Sequence, residues 1–198
     1  MIVKRLFDLL ASGIGLLVLS PLLLVIALAI KWESHGSVFF RQERVGQFGK
    51  TFRIHKFRTM VTDAERQGLQ ITVGADARIT RVGAVLRKSK LDELAQLIDV
   101  FTGHMSLVGP RPEVPKYVAY YPAAARALVQ SVKPGITDWA SIKFKDENDI
   151  LGKSSDPHAA YINEVLPIKI AFYSDYVRQR SFFGDLHIIF ATFGALLR

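Results

Sequence analysis

The 198-residue chain has no cysteine, which excludes a disulfide framework, a thiolate metal site and cysteine nucleophile chemistry. That absence fits a reducing compartment. Its five histidines, His35, His55, His104, His158 and His187, show neither HExxH nor any other ligand spacing, so no histidine zinc site is expected. Phosphate-cradling glycine loops and dinucleotide fingerprints are also missing. Gly46-x-x-Gly49 lies among basic residues, but no helix signal follows it, and it reads as a turn. There is no internal repeat. Acidic residues are in deficit, 18 against 26 Lys plus Arg, for a formal charge of +8. Charge alone would admit a nucleic-acid binder, but no recognised nucleic-acid module is present. With 49% apolar and 11% aromatic residues, the composition excludes a disordered chain.

What is present is concentrated at one end. From Leu9 to Ile30 there are 22 consecutive uncharged residues, roughly 33 Å of helix and enough for a hydrocarbon core of about 30 Å. The run exceeds a signal-peptide apolar region and is followed by basic residues instead of a small-residue cleavage site. Lys4 and Arg5 precede it, and between Lys31 and Met60 the net charge is +5. Basic flanks favour the cytoplasmic side, and here both ends ask for the same side. Ser20-Pro21 stands in the middle of the run. Proline removes a backbone donor and clashes with the preceding turn, and the Ser20 hydroxyl can bond a carbonyl released there. A helix that breaks at Ser20-Pro21, dips into one leaflet and returns satisfies both basic ends. A Pro-kinked spanning helix is the alternative, and the charge symmetry favours the first.

Further on, Val38–Gln42 and Thr51–Phe57 read as a small β-hairpin around two glycines. Met60–Ala77 is polar and loop-like. Val82–Lys88 leads into LDELAQLIDVF, where Leu91, Leu94, Leu97, Ile98 and Phe101 mark one helical face that Gly103 ends. Ser89 with Asp92 resembles a capping box, placing Asp92 and Glu93 in the first helical turn. GPRPEVP (109–115) is a rigid loop. Tyr117–Val132 and Ala159–Tyr176 read as helical, the former interrupted at Pro122, with the loop KPGITDWASIKFKDENDILGKSSDP between them. Within it, Asp146–Asp149 reads as a solvated turn and not a calcium loop. Asp185–Leu197 is apolar but too short to span a bilayer.

One cluster carries chemistry. Asp92 and Glu93 are preceded by Arg87, Lys88 and Lys90 and followed by the Arg111 loop. Carboxylates beside arginines at a helix start suit phosphoryl transfer: arginine binds phosphate bidentately, and one carboxylate can attack phosphorus while its neighbour holds Mg²⁺. An adjacent Asp-Glu pair by itself is more often an exposed helix start.

The motifs in combination are more specific. KRLFDLL with Ser20-Pro21, FRQERVG (40–46), HKFRTM (55–60), LRKSKLDELAQL (86–97), MSLVGPRP (105–112) and KPGIT (133–137) resemble the bacterial sugar transferase family, monotopic phosphoglycosyl transferases that begin polyprenol-linked glycan assembly. The resemblance covers nearly the whole chain and corresponds to the family's catalytic core, without the multi-span N-terminal region of larger members. It implies an α+β, mostly helical fold: residues 1–32 a re-entrant membrane helix with its break at Ser20 and Pro21, and 33–198 a cytoplasmic catalytic domain ending in an interfacial helix. It places the protein at the bacterial inner membrane, with its active site on the cytoplasmic face. It further implies transfer of a sugar-1-phosphate from a UDP-sugar to undecaprenyl or another polyprenyl phosphate, with release of UMP. Asp92 would be the nucleophile and Glu93 the Mg²⁺ ligand. Arg87 and Arg111 would contact the diphosphate, with Lys56 and Arg58 as weaker binding or positioning candidates. Membrane lipid is an implied partner, nucleic acid is not, and a homodimer stays open. A non-catalytic membrane-anchored scaffold of a glycan assembly complex is the alternative.

Two departures stand out. Ala95 replaces a proline often found after Asp-Glu-Leu in the family. The segment DWASIKFKDEND (138–149) differs from the usual continuation, so donor contacts there do not transfer by resemblance.

Overall fold

The computed structural model describes residues 2–64 and 76–196. In chain order it contains α1 (Ile2–Glu33), the hairpin β1 (Phe39–Val45) and β2 (Thr51–Phe57), α2 (Arg81–Lys88), a 3₁₀ turn (Leu91–Gln96) and α3 (Leu97–Phe101). There follow β3 (Ser106–Val108), α4 (Pro115–Val118), α5 (Ala123–Val129), β4 (Gly135–Thr137), α6 (Trp139–Lys143), α7 (Glu147–Gly152), α8 (Pro157–Ala160), a π segment (Tyr161–Val165), α9 (Leu166–Gln179) and α10 (Phe182–Leu196). The fold is mostly helical with a small antiparallel hairpin, as the sequence suggests. Of the polar stretch Met60–Ala77, residues 65–75 lie outside the described residues.

The expected break at Ser20-Pro21 is not seen in the first helix. α1 is assigned as one helix across Pro21. Proline deprives only the carbonyl four residues back, that of Leu17, and the Ser20 hydroxyl donates to that same oxygen at 2.8 Å. One side chain thus replaces the missing amide.

Both ends of α1 rest on the remaining structure. At its start, Asp8 accepts from the Ser106 hydroxyl at 2.8 Å and the Leu107 amide at 3.1 Å. Arg5 donates to the carbonyls of Val100 and Phe101, and Lys4 to Asp185 and the Val108 carbonyl. At its end, Ile26 and Ile30 pack with Phe57, Leu86 and Ala95. Between these anchors Leu17, Val18, Leu22, Leu24 and Val25 are exposed. Truncating Asp8 to Ala strands two donors in a dry contact, an expected loss of about 2–4 kcal/mol that thermal unfolding of the detergent-solubilised chain will read.

The apolar face read from LDELAQLIDVF is not the buried one. Asp92, Ala95, Gln96, Asp99 and Val100 point inward, while Leu97 is half-buried and Phe101 exposed. The apolar residues instead meet α1, where a Cβ on Gly13 would touch the Phe101 ring and one on Gly15 the Leu97 methyl. Ser89 caps nothing downstream: its hydroxyl closes α2 by donating to Val85 and Leu86 carbonyls. Gly103 does end the segment, at φ +88°.

The long loop after Pro134 is partly structured, unlike its sequence reading. β4 pairs in parallel with β3, Ser106 opposite Gly135 and Val108 opposite Thr137, so the SLVGPRP and KPGIT segments become neighbours. Their approach requires glycine, since a Cβ on Gly135 would fall 2.1 Å from the Gly109 amide nitrogen. α6 and α7 follow, the first capped by the Asp138 carboxylate on the Ala140 and Ser141 amides. Pro122 initiates α5 as its N-cap, and the helical path continues from α8 through the π segment into α9 despite Pro167.

Candidate active site

Three elements converge on the Asp-Glu pair. The first is the 3₁₀ turn itself, entered through Lys90 at φ 57° and ψ 16°. A left-handed lysine is uncommon, and such strain concentrates at functional sites. The second is β2, which delivers Lys56. The third is the Pro-Arg-Pro loop leaving β3. Its backbone is fixed by Gly109 N to Thr137 O at 3.1 Å and Gly135 N to Pro110 O at 2.9 Å. Arg44, at the end of β1, donates to the Pro112 carbonyl at 2.9 Å.

The two carboxylates differ sharply. Glu93 accepts from Lys56 Nζ at 2.8 Å and from both terminal nitrogens of Arg111, one of them at 2.9 Å. This is the bidentate fork expected of arginine and carboxylate. Burial alone would raise the Glu93 pKa, but Arg111 first and Lys56 second hold it well below the usual carboxylate range. Glu93 in turn raises Arg111 against the effect of burial. For Lys56 burial is the stronger influence and lowers its pKa, with Glu93 opposing.

Asp92 is 9% exposed and its side chain makes no hydrogen bond to any described residue. Burial, and then the neighbouring Glu93 charge, push its pKa up; Lys56, Arg87 and Arg111 pull the other way without prevailing. Adjacent acids in different environments suit different tasks. Glu93 is neutralised and immobilised; Asp92 is poorly solvated and free to form a new bond.

The structure brings together Asp92, Glu93, Lys56 and Arg111. Arg87 joins them electrostatically, its charge favouring ionisation of Asp92 while its Nε donates to Thr59 Oγ1 at 2.8 Å. Arg58 is directed elsewhere. It is 6% exposed and its guanidinium donates to the Ser34 and His35 carbonyls and to Ser34 Oγ. Arg58 therefore anchors the C-terminal end of α1, and its guanidinium bonds to Ser34 and His35 instead of to the Asp92–Glu93 pair. Ser20 and Pro21 lie in the exposed part of α1.

Sequence reasoning missed a second tier. Glu113 follows the Pro-Arg-Pro loop, is buried, and accepts from the Tyr161 hydroxyl at 2.6 Å. Lys169 is 4.0 Å from Glu113 and 2.5 Å from Glu147. Glu113 could have been suspected from its place beside Arg111. Tyr161 and Lys169 carry no sequence signal, because only folding brings the π segment and α9 to this loop.

The donor set was tested against Mg²⁺. No three His, Asp or Glu side chains converge among the described residues, so protein ligation rests on the Asp92–Glu93 pair. Mg²⁺ commonly takes one or two carboxylates and completes its shell with water and substrate phosphates. Glu93 Oε2 accepts from Arg111 alone among the described residues and retains a lone pair. One carboxylate oxygen with a spare lone pair is a donor set that fits an ion shared with a diphosphate.

Comparisons with known proteins identify the family. A family model described as bacterial sugar transferase matches residues 1–198. The chain is 38% identical over 197 residues to a UDP-N-acetylgalactosamine-undecaprenyl-phosphate N-acetylgalactosaminephosphotransferase of Aeromonas hydrophila, covering 98% of this chain and 44% of the relative. It is 39% identical over 195 residues to the UDP-glucose:undecaprenyl-phosphate glucose-1-phosphate transferase of Escherichia coli (strain K12), covering 96% and 39%. It is 37% identical over 209 residues to the exopolysaccharide production protein ExoY of Rhizobium meliloti (strain 1021), covering 98% and 84%. The chain thus spans about two fifths of the first two relatives and most of the third.

Proposed function

This chain belongs to the bacterial sugar transferase family, and on that premise we propose that it moves a sugar-1-phosphate from a UDP-sugar to undecaprenyl phosphate, releasing UMP. The observation that carries the reading is the pairing of an unpartnered, poorly solvated Asp92 with a Glu93 clamped by Arg111 and Lys56.

In the first step an Asp92 carboxylate oxygen attacks the β-phosphorus of the donor. The Asp92–phosphorus bond forms as the phosphoanhydride bond to UMP breaks, and UMP leaves with the bridging oxygen. In the second, a phosphate oxygen of the acceptor attacks the same phosphorus, the Asp92–phosphorus bond breaks, and polyprenyl diphosphate-sugar results with Asp92 restored. Arg111 and Lys56 would counter the negative charge that accumulates on the transferring group, and Arg87 favours the attacking anion. A bound Mg²⁺ would neutralise diphosphate charge. Burial also excludes water from an acyl phosphate that water would hydrolyse.

α1 and α10 supply the membrane face of this reading. The exposed apolar residues of α1 continue through the Phe7–Phe182 edge contact, at 5.5 Å, to Phe183, Phe190 and Phe193 of α10. With both ends of α1 held on the catalytic body, laying its exposed apolar face into the cytoplasmic leaflet of the inner membrane would put Asp92 near acceptor headgroups, the tail staying in lipid.

Incubation of the purified chain with UDP-glucose, UDP-galactose, UDP-N-acetylglucosamine or UDP-N-acetylgalactosamine, Mg²⁺ and undecaprenyl phosphate is expected to release UMP with at least one donor. Without acceptor, mass spectrometry is expected to find a phosphosugar on Asp92. Turnover with no adduct under trapping conditions refutes the covalent step. No UMP from any donor refutes the transferase and favours the scaffold.

A further inference from the structure

Glu147 opens α7, inside the segment that departs from the family pattern, and two attachments bring it to the rim of the active site. Lys90, the left-handed residue before the Asp92 turn, donates through Nζ to the Lys145 carbonyl at 2.9 Å. Lys169, with 5% of its side chain exposed, holds the Glu147 carboxylate at 2.5 Å. Lys169 also lies 5.1 Å over the Tyr161 ring and 4.0 Å from Glu113, and Tyr161 donates to Glu113 beside the Arg111 loop. Glu147 is near enough for its charge to act on Arg111. Along this series Lys169, Tyr161 and Glu113 are shut away from solvent, whereas Glu147 keeps 24% of its side chain exposed. Nearby, the fully buried Tyr173 hydroxyl has no partner among the described residues.

Burying a lysine is costly and a simple tether between helices does not require it. What the pair achieves is a carboxylate fixed in direction, close enough to the Arg111 loop for its charge to act there. A fixed carboxylate accepts charge-assisted hydrogen bonds from neighbouring hydroxyls. The donor carries a hydroxyl-rich group one bond from the phosphorus that Asp92 attacks.

We propose that Glu147, positioned by Lys169, reads the hydroxyls of the donor's sugar ring and sets which UDP-sugar is used. The assignment rests on the transferase reading above. A site that hydrogen-bonds a substrate hydroxyl discriminates strongly among sugars differing there, because a mismatch leaves its own polar group unpaired.

The test measures kcat/KM for UMP release with the same four UDP-sugars on wild-type, Glu147→Gln and Glu147→Asp chains, together with inhibition by UMP. Glu147→Gln is expected to lower kcat/KM for the preferred donor roughly 10- to 100-fold. The poorest donor should change little and the inhibition constant of UMP should stay put. Glu147→Asp, which keeps the charge, should recover part of the preference if Gln at this position compromises folding. A loss of the same factor for every donor, or no loss for the preferred donor in either variant, overturns the proposal and leaves Glu147 as a tether between α7 and α9. A wild-type chain inactive with all four donors overturns the transferase reading instead, and this assignment with it.

Discussion

Asp92→Asn is expected to slow UMP release by at least about 10⁴-fold, the scale on which loss of a nucleophile acts, while raising the melting temperature. Both effects have one origin. Asp92 is buried beside Glu93 and its side chain has no hydrogen-bond partner among the described residues. The folded chain therefore holds the ionised form at a cost, and its pKa lies above the ordinary carboxylate value. In the unfolded chain the group ionises near pH 4. As pH rises through that value the folded state loses stability relative to the unfolded one, until Asp92 ionises in the fold as well. Asparagine avoids this loss. The gain should be present at neutral pH, a few degrees in melting temperature, and should fade as pH falls below about 4, where both states of the aspartate are protonated. The same displacement moves the acid limb of kcat/KM above the position expected for a free aspartate, because only the ionised carboxylate attacks. Unfolding scans and UMP release across pH check the two halves separately. A variant that is inactive and also markedly less stable would mean that Asp92 holds the fold together, and the nucleophile assignment would lose its physical basis.

How legible was this site in advance? The Asp92-Glu93 pair and Arg111 could be read because each belongs to a short segment with its own local signal, a carboxylate pair after basic residues and a proline-locked loop, whereas Lys56 came only from the family resemblance. The hairpin itself was legible, but β1 runs on to Val45, which pairs with Thr51, beyond the expected end at Gln42. The face of α3 misled because periodicity reports where apolar residues lie, not what they meet. Leu97 and Phe101 meet α1, itself apolar, while Asp99 turns inward to accept from the His55 amide and to bond its ring. The β3–β4 pair was missed because each strand has only three residues and the partners are 29 positions apart in register. Arg58 was a weaker binding or positioning candidate that the family resemblance implied. Only the return of the chain past the end of α1 shows that its two terminal nitrogens bond to Ser34 and His35.

Arg111 shows how much of the site depends on such commitments. Replacing it with Met leaves Glu93 with Lys56 alone, about 19% exposed and without its fork. Breaking one side of a largely buried ion pair costs about 3 kcal/mol or more, so Arg111→Met should melt well below wild type and the Glu93 pKa should rise. Activity should fall further than stability explains, by roughly 10²- to 10³-fold in kcat, because a donor aimed at developing charge is lost as well. Arg111→Lys separates the two. It keeps the charge, and should recover most of the melting temperature, but it cannot reproduce two parallel N–H bonds, so kcat should remain low. The double variant Glu93→Gln, Arg111→Met closes the cycle. If Arg111 served only to hold Glu93, the kinetic losses would not add, and the double variant would be no slower than Glu93→Gln. If Arg111 also binds the transferring phosphate, removing it will slow the Glu93→Gln background too, and UMP release in the four proteins decides between them.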